Sequence, residues 1–183
     1  ATLWPSEVYY TGDLWPRYDA ASAAAQEGDA MAAAQAARLL KLIGPATFAE
    51  IQAEPRMGWL PLEVITQFIH YVLQREGDSA EYAYHWSGGL LTVEGVDYLD
   101  LPLRASSVQV ELLGFINHDM TYFSPKKDRR RNDEDIEERR IKLAAYYNTL
   151  FSQWMETRSD LQARVAEAFN RKFRGWRAPS YAT

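Results

Sequence analysis

The stretch Asp19-Ala20-Ala21-Ser22-Ala23-Ala24-Ala25-Gln26-Glu27-Gly28-Asp29-Ala30-Met31-Ala32-Ala33-Ala34-Gln35-Ala36-Ala37 decides the fold class. Alanine loses no side-chain entropy in a helix and is its strongest former. Both alanine runs are therefore predicted as helices. The interruption Gln26-Glu27-Gly28-Asp29 separates them: Gly28 suits a helix end, and Asp29 can cap the helix that follows. The reading is an antiparallel pair over roughly 14–26 and 30–43, with alanine faces that let the axes approach closely. On the N-terminal side, Asp13 is the expected cap, and Pro16 sits in the first turn where its missing N–H costs little. The segment Leu3–Gly12 reads as extended, since Pro5 disfavours helix at Trp4. Gly44-Pro45 stops the second helix.

Beyond Pro45, Thr47 and Glu50 form a capping box for a short helix. Pro55 to Gly58 is a turn. Pro61 opens a helix to about residue 76, with Leu62, Ile65, Phe68, Ile69, Val72 and Leu73 on its apolar stripe. Glu81–Trp86 and Leu90–Val93 read as a β-hairpin, its tight turn supplied by Gly88-Gly89. Short helix, turn, longer helix and hairpin is the order of a winged-helix module. The second helix has one Arg and no Lys, which is poor chemistry for reading base edges. Leu99–Leu103 reads as a linker or short strand. Ser106 caps a helix through Phe115, with Val108, Leu112 and Phe115/Ile116 inward, and Asn117-His118-Asp119 ends it. Asn132 caps a long helix to about Glu156, whose inner stripe is Ile136, Leu143, Tyr147, Leu150 and Trp154. A last helix spans about 160–173, with Leu161, Val165, Phe169 and Phe173 in phase.

The fold class is thus mainly α: a helical hairpin, a winged-helix-like unit with one β-hairpin, and a long C-terminal helical pair, with α+β as the alternative by strict count. The expected organisation is an acidic helical region with the hairpin over 1–103 and a helical region with a basic loop and tail over 104–183, joined in one unit.

At 183 residues the chain is long enough to bury a core without staples. It has no cysteine, which excludes a disulfide scaffold, a thiol nucleophile and Cys-ligated metal sites. No apolar run reaches the roughly 18 residues of a membrane span, and no signal-peptide pattern opens the sequence. A cytoplasmic protein with no membrane partner is the expectation. There is no Walker-type G-x-x-x-x-G-K-S/T loop, no G-x-G-x-x-G and no nucleophile elbow. His70, His85 and His118 have no metal-ligand spacing. His70 reads as structural and His118-Asp119 as a turn pair. Glu134, Glu137 and Glu138 complement the helix dipole and pair with Arg140 and Lys142. No catalytic residue, cofactor or metal is expected.

Charge supplies the functional signal. Residues 1–123 carry 6 Lys/Arg against 16 Asp/Glu, a net of −10; residues 124–183 carry 14 against 9, a net of +5. Within that basic end, Lys126, Lys127, Arg129, Arg130 and Arg131 follow Tyr122-Phe123, a pattern that can grip phosphates beside a stacking aromatic. The alternative is a solvated loop neutralised by Asp133, Glu134 and Glu137. Arg171, Lys172 and Arg174 extend the track, and Arg164, Arg171 and Arg174 suit one outer stripe. Trp176 among these cations suits stacking on a base or on Arg177; packing is its expected use.

The segment order also carries a resemblance. Tyr10-Thr11-Gly12-Asp13-Leu14 before an alanine-rich hairpin resembles the "YLSGNV" start of a stretch in very large plasmid and phage proteins. Those proteins join an adenine DNA methylase-like region to a superfamily-two helicase of the Swi/Snf type. Gly58-Trp59-Leu60-Pro61 through Phe68-Ile69 resembles their "W-I-P…I..F" segment. Glu111-Leu112-Leu113-Gly114-Phe115-Ile116-Asn117 resembles "ELL..ALN". Glu138–Phe173, ending Ala168-Phe169-Asn170-Arg171-Lys172-Phe173, resembles the "IYN.RF" helix before the helicase core. The four short, mostly hydrophobic matches keep their order over most of the chain. The resemblance implies a non-catalytic accessory region of an ATP-dependent DNA helicase, or a small relative of one, whose partners are DNA phosphates and the parent's helicase core. Lys126–Arg131 is more basic than that family suggests, so its role does not come from the resemblance. The alternative function is a protein–protein interaction module of a phage or plasmid defence or anti-restriction system.

Overall fold

The computed structural model describes residues 6–119 and 133–179. It is mainly α, with two small two-stranded antiparallel sheets. None of the described helices is long and apolar enough to cross a membrane. The chain divides into two units, residues 1–51 with 166–183, and residues 52–165.

The first unit is built on the alanine hairpin. Helix α2 is Trp15–Gln26 and α3 is Ala30–Ile43. Gly28 takes φ +100° at the turn, and the Asp29 carboxylate accepts from Ala32 N–H at 3.0 Å. Gly44 caps α3 in the left-handed region at φ 59° and donates its N–H to Leu40 O. Leu14, Trp15, Ala21, Ala36, Leu39 and Ile43 form one buried cluster, with Tyr9, Tyr10, Tyr18 and Leu42 packed on it. The predicted cap is displaced by one residue: Leu14 holds the cap position, while Asp13 Oδ1 accepts from Trp15 N–H at 3.2 Å. The region expected to be extended instead contains a one-turn helix, α1 (Ser6–Tyr9), before strand β1 (Gly12–Asp13). Pro5 restricts only the residue before it, so it does not bar helix from Ser6 onward. A 3-10 turn at Phe48–Glu50 carries the foreseen Thr47/Glu50 pair: Glu50 Oε2 accepts from both the N–H (2.7 Å) and the hydroxyl (3.0 Å) of Thr47.

In the second unit, helix α4 (Leu62–Arg75) buries Val64, Ile65, Phe68, Ile69, Val72 and Leu73. Leu62, placed on the stripe by periodicity, begins the helix on its exposed side. Strands β2 (Tyr84–Ser87) and β3 (Leu90–Val93) form the predicted hairpin, with Ser87 opposite Leu90 across Gly88-Gly89, at φ 58° and 82°. Residues 98–104 are not a linker or strand. They form a 3-10 turn, Tyr98–Asp100, followed by α5, Leu101–Arg104. The Asp97 carboxylate accepts from Leu99 N–H and Pro102 lies in the first turn of α5, both helix-start signals. Helix α6 (Ser107–Ile116) begins as expected, with Ser106 Oγ accepting from Gln109 N–H. Asn117 then clasps the backbone of Leu91: its Oδ1 accepts from Leu91 N–H at 2.7 Å and its Nδ2 donates to Leu91 O at 2.8 Å.

Helix α7 is Asp133–Glu156; α8 is Ser159–Phe173. Tyr147, Leu150, Phe151, Trp154 and Met155 are buried on α7, as are Leu161 and Val165 on α8. Ile136 belongs to a helical segment whose side chains are not described. Phe68 sits edge-on to Phe151 at 5.0 Å and against Trp154 at 5.5 Å, and Tyr71 stacks on Trp154 at 5.8 Å. Along the same side of α4, Gln67 Oε1 accepts from Arg158 at 2.7 Å and Glu63 pairs with Arg164. This side is therefore occupied by α7 and the start of α8 and is not open to a DNA groove.

Candidate nucleic-acid interface

The described basic candidates gather at the C-terminal end of α8 and the strand after it, β4 (Trp176–Arg177), all within the first unit. This end is fastened to the start of α2. The Trp15 indole N–H is within 3.1 Å of two acceptors, the carbonyl oxygens of Asn170 and Arg174. Leu14 N–H donates to Gly175 O at 2.8 Å, and β1 pairs with β4 through Gly12↔Arg177 and Asp13↔Trp176. Asn170 is buried and uses both ends of its amide on the backbone of one residue, accepting from Ala46 N–H at 2.8 Å and donating to Ala46 O at 2.9 Å. A buried amide with both partners satisfied fixes geometry without an unpaired polar cost.

The three C-terminal candidate residues stand differently. Arg171 lies over the Trp15 ring at 4.1 Å, donates from both terminal nitrogens to Asp19 (2.6 and 2.8 Å) and from Nε to Glu167 at 2.8 Å. The Asp19 hydrogen bond is the main cause raising the Arg171 pKa, and the Arg171 hydrogen bond the main cause lowering that of Asp19. Two carboxylates thus balance this guanidinium in the free protein. Lys172 and Arg174 are exposed. The Lys172 ammonium is 5.8 Å from the Phe173 ring centroid. Arg164, placed with them on an outer stripe by spacing, is engaged by Glu63. Lys126, Lys127, Arg129, Arg130 and Arg131 lie outside the described residues, as does the Asn132 cap.

Trp176 overturns its expectation. It is 75% exposed, where packing was expected, because among the described residues no layer covers the two-residue strand β4. Phe173, expected in phase with the buried stripe, is 51% exposed; near the end of α8 the buried position is Asn170. Of the fastening residues, Asn170 enters the sequence reading only within the segment that resembles "IYN.RF", and Trp15 and Gly175 carry no sequence expectation. Gly175, a glycine two residues past the end of α8 and directly before a tryptophan, was the signal available.

Several other titratable candidates have structural partners, whereas the buried Nδ1 of His85 has no hydrogen-bond partner among the described residues. His70 Nε2 lies 2.8 Å from Tyr82 O. Asp119 accepts from the Tyr98 hydroxyl at 3.0 Å, while His118 faces Arg56 through Nδ1. Glu137 pairs with Arg140 and Glu138 with Lys142, as the helix spacing predicts. Among the described residues no group of His, Asp and Glu is arranged to hold a metal ion. No protein-family model, curated protein or solved structure matches the chain.

Proposed function

We propose that this chain is a non-catalytic accessory region of a DNA helicase or translocase, working in the cytoplasm and holding DNA by its phosphate backbone. The observation that carries the reading is the exposed set Lys172, Arg174 and Arg177 around Trp176 on a segment clamped to α2. The segment resemblance supplies the helicase context and the docking partner, the parent's helicase core. Lys126, Lys127, Arg129, Arg130 and Arg131 are the second group of phosphate contacts in this account. Phosphate contacts position a protein without reading sequence, so binding should be weak, sequence-insensitive and steeply lowered by salt.

A salt titration of DNA binding by wild type and by the Arg129→Ala/Arg130→Ala/Arg131→Ala variant tests this. The slope of log K against log salt should flatten by up to about three units in the variant. Equal slopes remove the loop from the interface, and absence of binding at low salt removes the DNA reading.

A second reading, a protein–protein module of a phage or plasmid defence or anti-restriction system, draws support from Leu99 and Leu103. They lie four residues apart and are 81% and 80% exposed. Lack of DNA binding at low salt would promote it.

A further inference from the structure

We propose that the β4 platform takes single-stranded nucleic acid, one unstacked base lying on Trp176 while Lys172, Arg174 and Arg177 hold the adjoining phosphates. This rests on the DNA-contact reading and specifies which form of nucleic acid the site selects.

Three observations converge. First, Trp176 presents a large aromatic surface to solvent on a backbone held in place: its neighbour Gly175 accepts from Leu14 N–H, the Arg174 carbonyl accepts from Trp15, and Asp13 pairs across the ladder. A stacking surface already fixed in position loses little ordering entropy when a ligand arrives. Second, cations flank it within four residues on one side and one residue on the other, and three extended residues reach at most about 11 Å. Arg174 and Arg177 are therefore near enough along the chain for their long side chains to meet phosphates on either side of a stacked base, Arg177 from the opposite face of the strand. Third, Gly12 is the residue paired with Arg177, so no cross-strand side chain competes for that guanidinium's space.

Duplex DNA keeps its base faces stacked on one another and offers such a platform only phosphates. An unpaired strand offers both phosphates and an open π-face, and stacking tolerates any base. The preference for single strands should therefore come from Trp176 and the salt dependence from the cations.

The test is fluorescence anisotropy of the full chain with labelled oligothymidylate and with a blunt duplex of equal length, at low salt. The expected result is tighter binding of the oligothymidylate. Trp176→Ala should weaken that binding roughly 5- to 150-fold, leave the salt slope unchanged and barely affect the duplex. Trp176→Phe should restore most of the loss. Because Trp176 lies outside the core, these variants should melt like wild type. Duplex bound as tightly as single strand, or Trp176→Ala without effect, overturns this inference while leaving the DNA-contact reading intact. Absence of binding by either probe overturns both.

Discussion

A Cβ placed on Gly175 would lie 2.6 Å from Nε1 of Trp15, closer than real Cβ contacts come. Gly175 also adopts φ +90°, where L side chains are strained. The indole and the glycine are thus fitted to one another, and the two carbonyl contacts of that indole close the end of α8 onto α2. Gly175→Ala should destabilise the first unit by about 1–3 kcal/mol through strain and displacement of a buried indole. Urea denaturation monitored by tryptophan fluorescence checks it; an unchanged midpoint would mean Trp15 moves aside at no cost.

Asn170→Ala should be costly out of proportion to its size. It leaves the N–H and C=O of Ala46 without their amide partner, at about 1–3 kcal/mol for each buried unpaired group. Asn170→Asp should also destabilise, because a carboxylate can accept from the N–H but repels the carbonyl oxygen. Asn170→Asp as stable as wild type would contradict this account of the contact.

Much of this architecture is legible in the sequence for local reasons. Asp29, Gly44, Ser106 and the Gly88-Gly89 turn act on neighbours a few residues away, so their chemistry can be read in place. The end of α8 is not legible, because its partners are far away along the chain. Asn170 meets Ala46 and Trp15 meets Arg174 across separations of 124 and 159 residues. Periodicity alone placed Phe173 inward and gave no reason to single out an asparagine. Leu99–Leu103 holds too few apolar residues to show a clear period, so its turn and short helix are marked only by the Asp97 and Pro102 start signals. The basic candidates were legible as a composition, but whether a guanidinium is balanced by carboxylates depends on tertiary partners such as Asp19.

Trp154→Ala should cost about 3–5 kcal/mol, the range for removing a buried aromatic. Trp154 is buried against Phe68, Tyr71 and Phe151, so its loss opens a cavity between α4 and α7. A melting temperature equal to wild type would count against that packing.

The Asp19–Arg171 pair should give a pH-dependent contribution to stability. Arg171 holds the folded-state pKa of Asp19 below its ordinary value. The stabilisation is therefore present above the unfolded-state pKa and is lost as pH falls through the lower folded value. Asp19→Asn should reduce stability at neutral pH, and its difference from wild type should shrink in acid below the ordinary aspartate range. Both carboxylate and guanidinium are partly solvated, so the effect should be small and further reduced by salt. A difference that grows on acidification would contradict the assignment.

The isolated chain should not hydrolyse ATP, since its sequence holds no phosphate-binding loop. A coupled phosphate-release assay with and without DNA checks this. DNA-stimulated turnover abolished by a substitution within these residues would defeat it.

Titration of a short DNA strand into isotopically labelled protein, followed residue by residue through amide chemical shifts at low salt, tests the central claim most directly. The account predicts shifts concentrated at 172–177 and 126–131 that reverse on adding salt, with the buried amides of α4 unmoved. Shifts absent from 172–177, or no shifts at all, would contradict it.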